Sequence, residues 1–226
     1  GPGALQVVIY LDHPARYEVA ATGGIPARTT VSLDRTFLFE LLQGKKIVID
    51  PGHGGADQGG RGPVNLLEKN VVMPIAKNLA VLFGQVGAHA VLTRKGDEDV
   101  PGAKRLQLAR KEGADLFIGI HTHSHQHKEV GGISVLYAPS SPESLKLASQ
   151  VKDQLIKKLR LADRGLQEKA SFAALDGIPA IEAEVVTITN WVEEGLLRSP
   201  TIHKKAAQGI FNGVKNYFAD NLPKRC

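Results

Sequence analysis

Strand-like and helix-like patterns alternate along this chain from Lys45 onward, and this alternation constrains the fold more than any other feature. Short runs rich in β-branched residues predict strands, and longer stretches with apolar residues at helical spacing predict the helices between them. The predicted strands are 46–50, 89–93, 116–121, 132–138 and 179–186, and the predicted helices are about 70–86, 103–112, 142–159 and 200–219. Because parallel strands need long crossovers, the sequence predicts an α/β fold with a mostly parallel central sheet and helices on both faces.

The first 44 residues do not share this pattern. Short β-prone runs at 7–11, 17–21 and 29–33 are separated by turn-forming residues, which predicts hairpins, with His13 in a turn. We therefore expect a small β-rich N-terminal extension at 1–44, followed by one α/β domain at 45–226. Two interpretations of the extension stay open: the remnant of a preceding β-rich module, or extra strands added to the main sheet.

Composition limits the classes of partner. The formal net charge is +5 and the sequence pI is about 9.3, so the chain favours anionic surroundings such as cell-wall polymers, nucleic acid or anionic lipid. Its basic residues are scattered and only 5% of its residues are aromatic, so we expect no nucleic-acid partner. No apolar run approaches the length of a transmembrane helix, so we expect no transmembrane segment.

The two ends of the chain carry little further information. The single cysteine, Cys226, cannot form an intramolecular disulfide, and by itself it does not decide the compartment. The opening Gly1-Pro2-Gly3 is typical of the remnant of a cleaved tag. We therefore expect a trimmed piece of a protein whose export signal was left out.

The stretch Lys45–Gly55, KKIVIDPGHGG, predicts a buried strand that stops abruptly and presents a histidine. Residues 47–49 are a β-branched run, and residues 50–52 form a turn that cannot continue it. Open α/β sheets place their sites outside the carboxyl ends of the strands, where His53 would stand. The alternative interpretation is a solvated loop histidine.

Two later residues favour a site at this edge. Glu68 directly precedes the helical pattern at 70–86, and His121 ends the buried run 116–120. Alone, Glu68 is typical of a first-turn acid that complements the helix dipole. Together with His53, however, the set provides two imidazoles and one carboxylate, which is a common ligand set of catalytic zinc with one position open for water.

At this point the sequence resembles a known family, the zinc-dependent N-acetylmuramoyl-L-alanine amidases of bacterial cell walls (amidase type 3). The resemblance extends over about residues 45–218 and rests on five motifs in the family's order. These are IVIDPGHGG (47–55), the Glu68-Lys69 pair, LTR (92–94), ADLFIGIH (114–121) and IPAIEAE (178–184). Each motif alone is weak, but their shared order makes the resemblance specific.

The resemblance implies residue roles and a reaction. By the family's motifs, His53, Glu68 and His121 would bind one zinc ion per chain, and Glu184 would be the general base or acid. The implied reaction is hydrolysis of the amide between the lactyl group of N-acetylmuramic acid and L-alanine, which releases stem peptides from peptidoglycan. A secreted, extracytoplasmic location follows as an expectation, whereas the oligomeric state stays open, with a monomer as the default. The alternative is a catalytically inactive peptidoglycan-binding module that keeps the metal site.

The strand 179–186 contains two candidate carboxylates. Its period of two places Glu182 and Glu184 on one face, and burying two charges in an apolar strand is costly unless a metal or a wet cleft lies beside them. The family carries an apolar residue where Glu182 stands. In the family's motif, the spacing of the catalytic glutamate from the residues that match Pro179 and Asn190 corresponds to Glu184, so the resemblance implies Glu184 as the catalytic residue.

The segment 121–127 contains four alternating histidines, and the family carries a small polar residue at the position of His123. Three explanations compete: an exposed histidine-rich loop, a second metal site, or a rim that faces the substrate with His123 near the zinc. We expect the strand to end before this segment, which favours the loop.

Three further residues match the family's motifs. Asp57 is either an orienting partner of a metal-binding histidine or a plain loop aspartate. Arg94 and Arg105 are interpreted as structural residues that pair with carboxylates near the site.

Overall fold

A computed structural model describes residues 6–11 and 15–221. The predictions about Gly1-Pro2-Gly3, His13 and Cys226 therefore lie outside the described residues. The chain divides into two compact units, Gly1–Glu40 and Leu41–Cys226. The division of the sequence at residue 44 into an extension and a catalytic domain stays a prediction.

The first unit contains a two-stranded antiparallel sheet, β1 (Tyr17–Thr22) and β2 (Arg28–Leu33). All residues of both strands are exposed. The strand predicted at 7–11 is wrong, because this apolar run is exposed and belongs to no strand. A β-prone run becomes a strand only when it finds a pairing partner. The short helix α1 (Thr36–Leu42) follows β2 and lacks the length needed for a periodic sequence signal.

The second unit alternates strands and helices, as predicted. Its strands are β3 (Lys46–Pro51), β4 (His89–Leu92), β5 (Leu116–His123), β6 (Ile133–Tyr137), β7 (Asp163–Glu168) and β8 (Ala180–Thr187). Its helices are α2 (Glu68–Gly84), α3 (Gly102–Glu112), α4 (Pro142–Leu159), α5 (Trp191–Leu197) and α6 (Pro200–Asp220), with a 3₁₀ helix at Ala170–Leu175. No helix of the described residues is both long and apolar enough to cross a membrane.

The sheet of the second unit has the strand order β4-β3-β5-β8-β6-β7. All neighbouring pairs are parallel except β6 with β8, which is antiparallel. The prediction of a mostly parallel central sheet with helices is thereby confirmed.

One face of this sheet changes from apolar to polar along the strands. Since register partners share a face, Val48, Phe117 and Ala180 form its apolar part, against which Ala109 of α3 and Phe172 of the 3₁₀ helix pack. Further toward the carboxyl ends the same face carries polar side chains, which are Asp50, His121, Glu182 and Glu184. The fold thus brings the chemistry-bearing residues of three strands to one edge.

Three elements differ from the sequence prediction. Strand β5 continues through His123, which pairs with Thr187 of β8 after a register shift, so the expected earlier end of this strand is wrong. Strand β7 was missed because its sequence DRGLQE lacks an apolar run, and it forms by pairing with β6 at the sheet edge. Helix α5 was missed because its seven residues are too few for a periodic signal.

Candidate metal centre

His53 is held in a defined orientation just beyond the end of β3. Its φ is +60°, an unusual value for a residue with a side chain, and such strain is concentrated at functional sites. The ring contacts two carboxylates: Nδ1 lies 2.8 Å from Asp57 Oδ2, and Nε2 lies 3.1 Å from Glu68 Oε2. Asp57 therefore occupies the orienting position that the sequence left open.

Glu68 is the first residue of α2 and is only 3% exposed. Its carboxylate accepts hydrogen bonds from the backbone N–H groups of Gly60 and Thr122, both at 2.7 Å. Burial would raise the pKa of Glu68, but its hydrogen bonds with His121 and His53 outweigh burial and hold this pKa far below its ordinary value. These contacts stabilise the charged form of Glu68.

His121 lies on β5 between two carboxylates. Its Nδ1 lies 3.1 Å from Glu68 Oε1, and its Nε2 lies 3.2 Å from Glu182 Oε2. The ring fits against the backbone of Gly52, where a Cβ would overlap it. Burial would lower the pKa of His121, but the negative charges of Glu182 and Glu68 raise it above its ordinary value.

One donor atom each from His53, Glu68 and His121 lies within 4.8 Å of the others. Two imidazole nitrogens and one carboxylate oxygen at this spacing fit a divalent metal such as zinc. The structure thus brings together all three ligands predicted from the sequence. In residues 6–11 and 15–221 no second cluster of this kind occurs, so a second metal site at 121–127 has no support there.

A cavity of about 500 Å³ adjoins this cluster. Its lining includes the polar or charged residues His53, His121, Glu182 and Lys169. Its apolar lining residues are Val100, Pro101, Ala103, Leu106, Phe117 and Phe172. An apolar pocket with a few convergent polar groups is typical of a small-ligand or substrate site.

Glu184 lies beside His121 through the β5–β8 register, but it is not among the described residues that line the cavity. Its Oε2 accepts a hydrogen bond from the Ser134 hydroxyl and lies 3.2 Å from His123 Nδ1. Its assignment as the general base or acid stays a prediction. Sequence reasoning missed Ser134 and Lys169, because neither lies in a motif and each reaches its carboxylate only through the tertiary fold.

The histidine-rich segment has two parts. His123 lies within β5, is partly buried and contacts Glu184, whereas His125 and His127 follow the strand. The rings of His125 and His127 have their centroids 5.5 Å apart, and His127 is exposed. The exposed-loop explanation therefore describes the end of the segment, and His123 belongs to the region of the site.

Two arginines hold the loop that presents His53. Arg94 donates hydrogen bonds to main-chain carbonyls, among them those of Pro51 and Gly52. Arg105 Nη1 donates to Asp50 Oδ1 at 2.8 Å, and Arg105 Nη2 donates to the His53 carbonyl at 2.8 Å. The pairing predicted for Arg105 is thus present, with Asp50 as its carboxylate. The carboxylate partner predicted for Arg94 is wrong, because its hydrogen bonds go to main-chain carbonyls.

We expect Arg105→Met to lower the free energy of unfolding by about 3–5 kcal/mol, because it leaves the buried Asp50 carboxylate without its cation. Urea denaturation measures this change. Lys104→Met is the matched control, since Lys104 is an exposed neighbour in the same helix and its loss should cost less than about 0.5 kcal/mol. Equal effects of the two variants would contradict a structural role for the Arg105–Asp50 pair.

Comparison with known proteins agrees with this geometry. A family model described as N-acetylmuramoyl-L-alanine amidase matches residues 47–216. The probable cell wall amidase LytH of Staphylococcus epidermidis is 31% identical over 214 residues, which cover 93% of this chain and 71% of that protein. N-acetylmuramoyl-L-alanine amidase AmiA of Escherichia coli is 31% identical over 222 residues, which cover 77% of each.

Solved structures give the same result. AmiC2 of Nostoc punctiforme, an N-acetylmuramoyl-L-alanine amidase, superposes with a TM-score of 0.73 at 31% identity and covers 77% of this chain and 97% of its own. An N-acetylmuramoyl-L-alanine amidase from Clostridium difficile gives a TM-score of 0.75 at 29% identity, with 80% and 100% covered. The family match spans most of the chain, so this protein belongs to the N-acetylmuramoyl-L-alanine amidase family.

Proposed function

We propose that this chain hydrolyses the amide bond between the lactyl group of N-acetylmuramic acid and L-alanine in peptidoglycan, with one zinc ion per chain. The observation that carries the proposal is the convergence of His53, Glu68 and His121 at the carboxyl edge of the sheet, with donor atoms within 4.8 Å of one another. Membership of the amidase family supports the same reaction.

His53, through Nε2, and His121, through Nδ1, would hold the metal together with Glu68, because these atoms face the Glu68 carboxylate. A zinc ion bound there supplies a Lewis acid beside which water becomes a usable nucleophile near neutral pH. The Asp57 contact favours the His53 tautomer that carries its proton on Nδ1, which leaves the lone pair of Nε2 free to bind the metal.

Glu184 is the proposed general acid–base residue. Amide hydrolysis requires that a proton be taken from the attacking water and that a proton be given to the departing nitrogen, and one carboxylate can do both in turn. Three observations support Glu184: its register beside His121, its partly buried position and the hydrogen bond from Ser134, which orients the carboxylate.

The proposed partner is peptidoglycan, and the proposed location is extracytoplasmic, in the cell wall or periplasm. The net charge of +5 suits an anionic cell-wall environment. Relatives named as cell wall amidases support this location.

Incubation with purified sacculi tests the reaction. We expect the wild-type protein to release free peptide amino termini, a chelator to abolish this release, and added zinc to restore it. Elemental analysis is expected to return one zinc ion per chain. Binding to sacculi without release of amino termini, by a protein that contains zinc, would instead favour the inactive binding module.

A further inference from the structure

Glu182 is a buried carboxylate on the wall of the cavity, one pleat from Glu184. It is 6% exposed, and its Oε2 lies 3.2 Å from His121 Nε2. Both of its oxygens accept hydrogen bonds from Lys169 Nζ, at 2.7 and 2.6 Å. Glu182 therefore bridges a metal-binding histidine and a lysine of the strand β7–3₁₀ connection.

Stability alone does not account for this pair. Removing two charges from water is costly, and well-packed apolar residues often stabilise such a position as well as an ion pair does. We therefore look for the role of the Glu182–Lys169 pair in its contact with the adjacent His121.

The two ring nitrogens of His121 have different roles. Its Nδ1 faces Glu68 and the proposed metal position, so this nitrogen would carry no proton and present its lone pair when a metal is bound. In the neutral ring the proton then resides on Nε2, which donates to Glu182. In His53 the two nitrogens exchange these roles: Nε2 faces Glu68, and Nδ1 contacts Asp57.

We propose that Glu182 is a positioning residue that accepts the Nε2–H of His121, fixes its tautomer and ring orientation, and thereby raises the metal affinity of the site. Lys169 holds the Glu182 carboxylate in place and balances its charge. Each metal-binding histidine then has its own carboxylate partner, which is Asp57 for His53 and Glu182 for His121. This inference rests on the metal site of the proposed function and adds a role that the family's motifs do not supply.

The test is the zinc dissociation constant, measured by competition with a chromophoric chelator. We expect Glu182→Leu, which installs an apolar residue, to weaken zinc binding about 10–100-fold, the usual effect of losing a partner of a ligating histidine. Glu182→Gln should remain within about threefold of the wild type, because its amide oxygen still accepts the Nε2–H. Glu168→Gln is the matched control, since it removes an exposed carboxylate of β7 next to Lys169 and should leave the affinity unchanged.

A second variant and a second readout keep the test decisive. Lys169→Met removes the lysine that holds Glu182 but leaves Glu182 itself in place. We expect this variant to weaken zinc binding about threefold to tenfold, and it replaces Glu182→Leu as the test if that protein does not fold. The visible spectrum of the Co²⁺-loaded protein should change in Glu182→Leu and stay close to that of the wild type in Glu182→Gln.

The outcomes separate this inference from the proposed function. Wild-type zinc affinity in Glu182→Leu, or in Lys169→Met where the former is unfolded, would overturn the positioning role while leaving the zinc amidase intact. A loss of turnover at saturating zinc with unchanged affinity would also overturn it, and would make Glu182 a catalytic residue. A wild-type protein that binds no stoichiometric metal would overturn the metal site itself and this inference with it.

Discussion

The Glu184→Gln protein is expected to fold, to bind one zinc ion per chain and to lose about 10²-fold or more in turnover, the usual scale for removal of a general acid–base group. The amide of glutamine accepts the Ser134 hydrogen bond but takes up no proton from water at neutral pH. Because Glu184 is not one of the three proposed ligands, metal binding and proton transfer are separable.

The matched control is Glu182→Gln, which changes the neighbouring carboxylate on the same face of β8 in the same way. We expect this variant to lose far less turnover, because its amide still accepts the hydrogen bond of His121. Turnover is measured as release of amino termini from sacculi at saturating zinc. If both variants fall equally, or if Glu182→Gln alone is inactive, the catalytic carboxylate is not Glu184 and the register taken from the family is wrong.

The His121→Ala protein is expected to lose both its zinc and its activity, down to the background rate of the sacculus assay. The substitution removes one of three ligands, and the remaining His53 and Glu68 offer too few donors for a tight zinc site. Glu68 still accepts the backbone N–H groups of Gly60 and Thr122, so its charge remains partnered and the fold should survive.

Elemental analysis after dialysis measures the zinc content of His121→Ala, and circular dichroism checks its fold. His125→Ala is the control, because His125 belongs to the same histidine-rich segment but is not part of the ligand cluster. It should retain one zinc ion per chain and full activity. Full metal content in His121→Ala would refute the ligand assignment.

The sequence alone predicted most of the sheet and the three residues that converge at its edge as proposed metal ligands. The β-branched and apolar runs of β3 and β5 predict buried strands, and the carboxyl ends of parallel strands in one sheet lie at the same edge. His53 and His121 follow or end those strands, and Glu68 begins the helix α2. Their convergence therefore follows from local patterns and chain topology, and the family's motifs named the same residues.

The extension of β5 to His123, the edge strand β7 and the helix α5 required the tertiary structure. The end of β5 and the strand β7 are short or polar, and their backbone groups pair with strands far away in the chain. Helix α5 is too short to give a periodic signal. Asn190, for example, starts α5 by accepting hydrogen bonds from the N–H groups of Val192 and Glu193, a local signal too weak to predict a helix alone.

The carboxylate partners of the two histidines also differ in whether the sequence could predict them. Asp57 lies one short turn from His53, so its contact with the Nδ1 of that histidine was open to prediction from the sequence. The contact of Glu182 with His121 and Lys169 was not, because periodicity assigns a side chain to a face of a strand but does not say which side chains of neighbouring elements it meets. The sequence by itself determined which residues reach the edge of the sheet, since strand period and strand ends are local properties. Only the tertiary structure decided which nitrogen of each histidine faces Glu68 and which carboxylate holds the other, because hydrogen-bond partners depend on distances between separate elements.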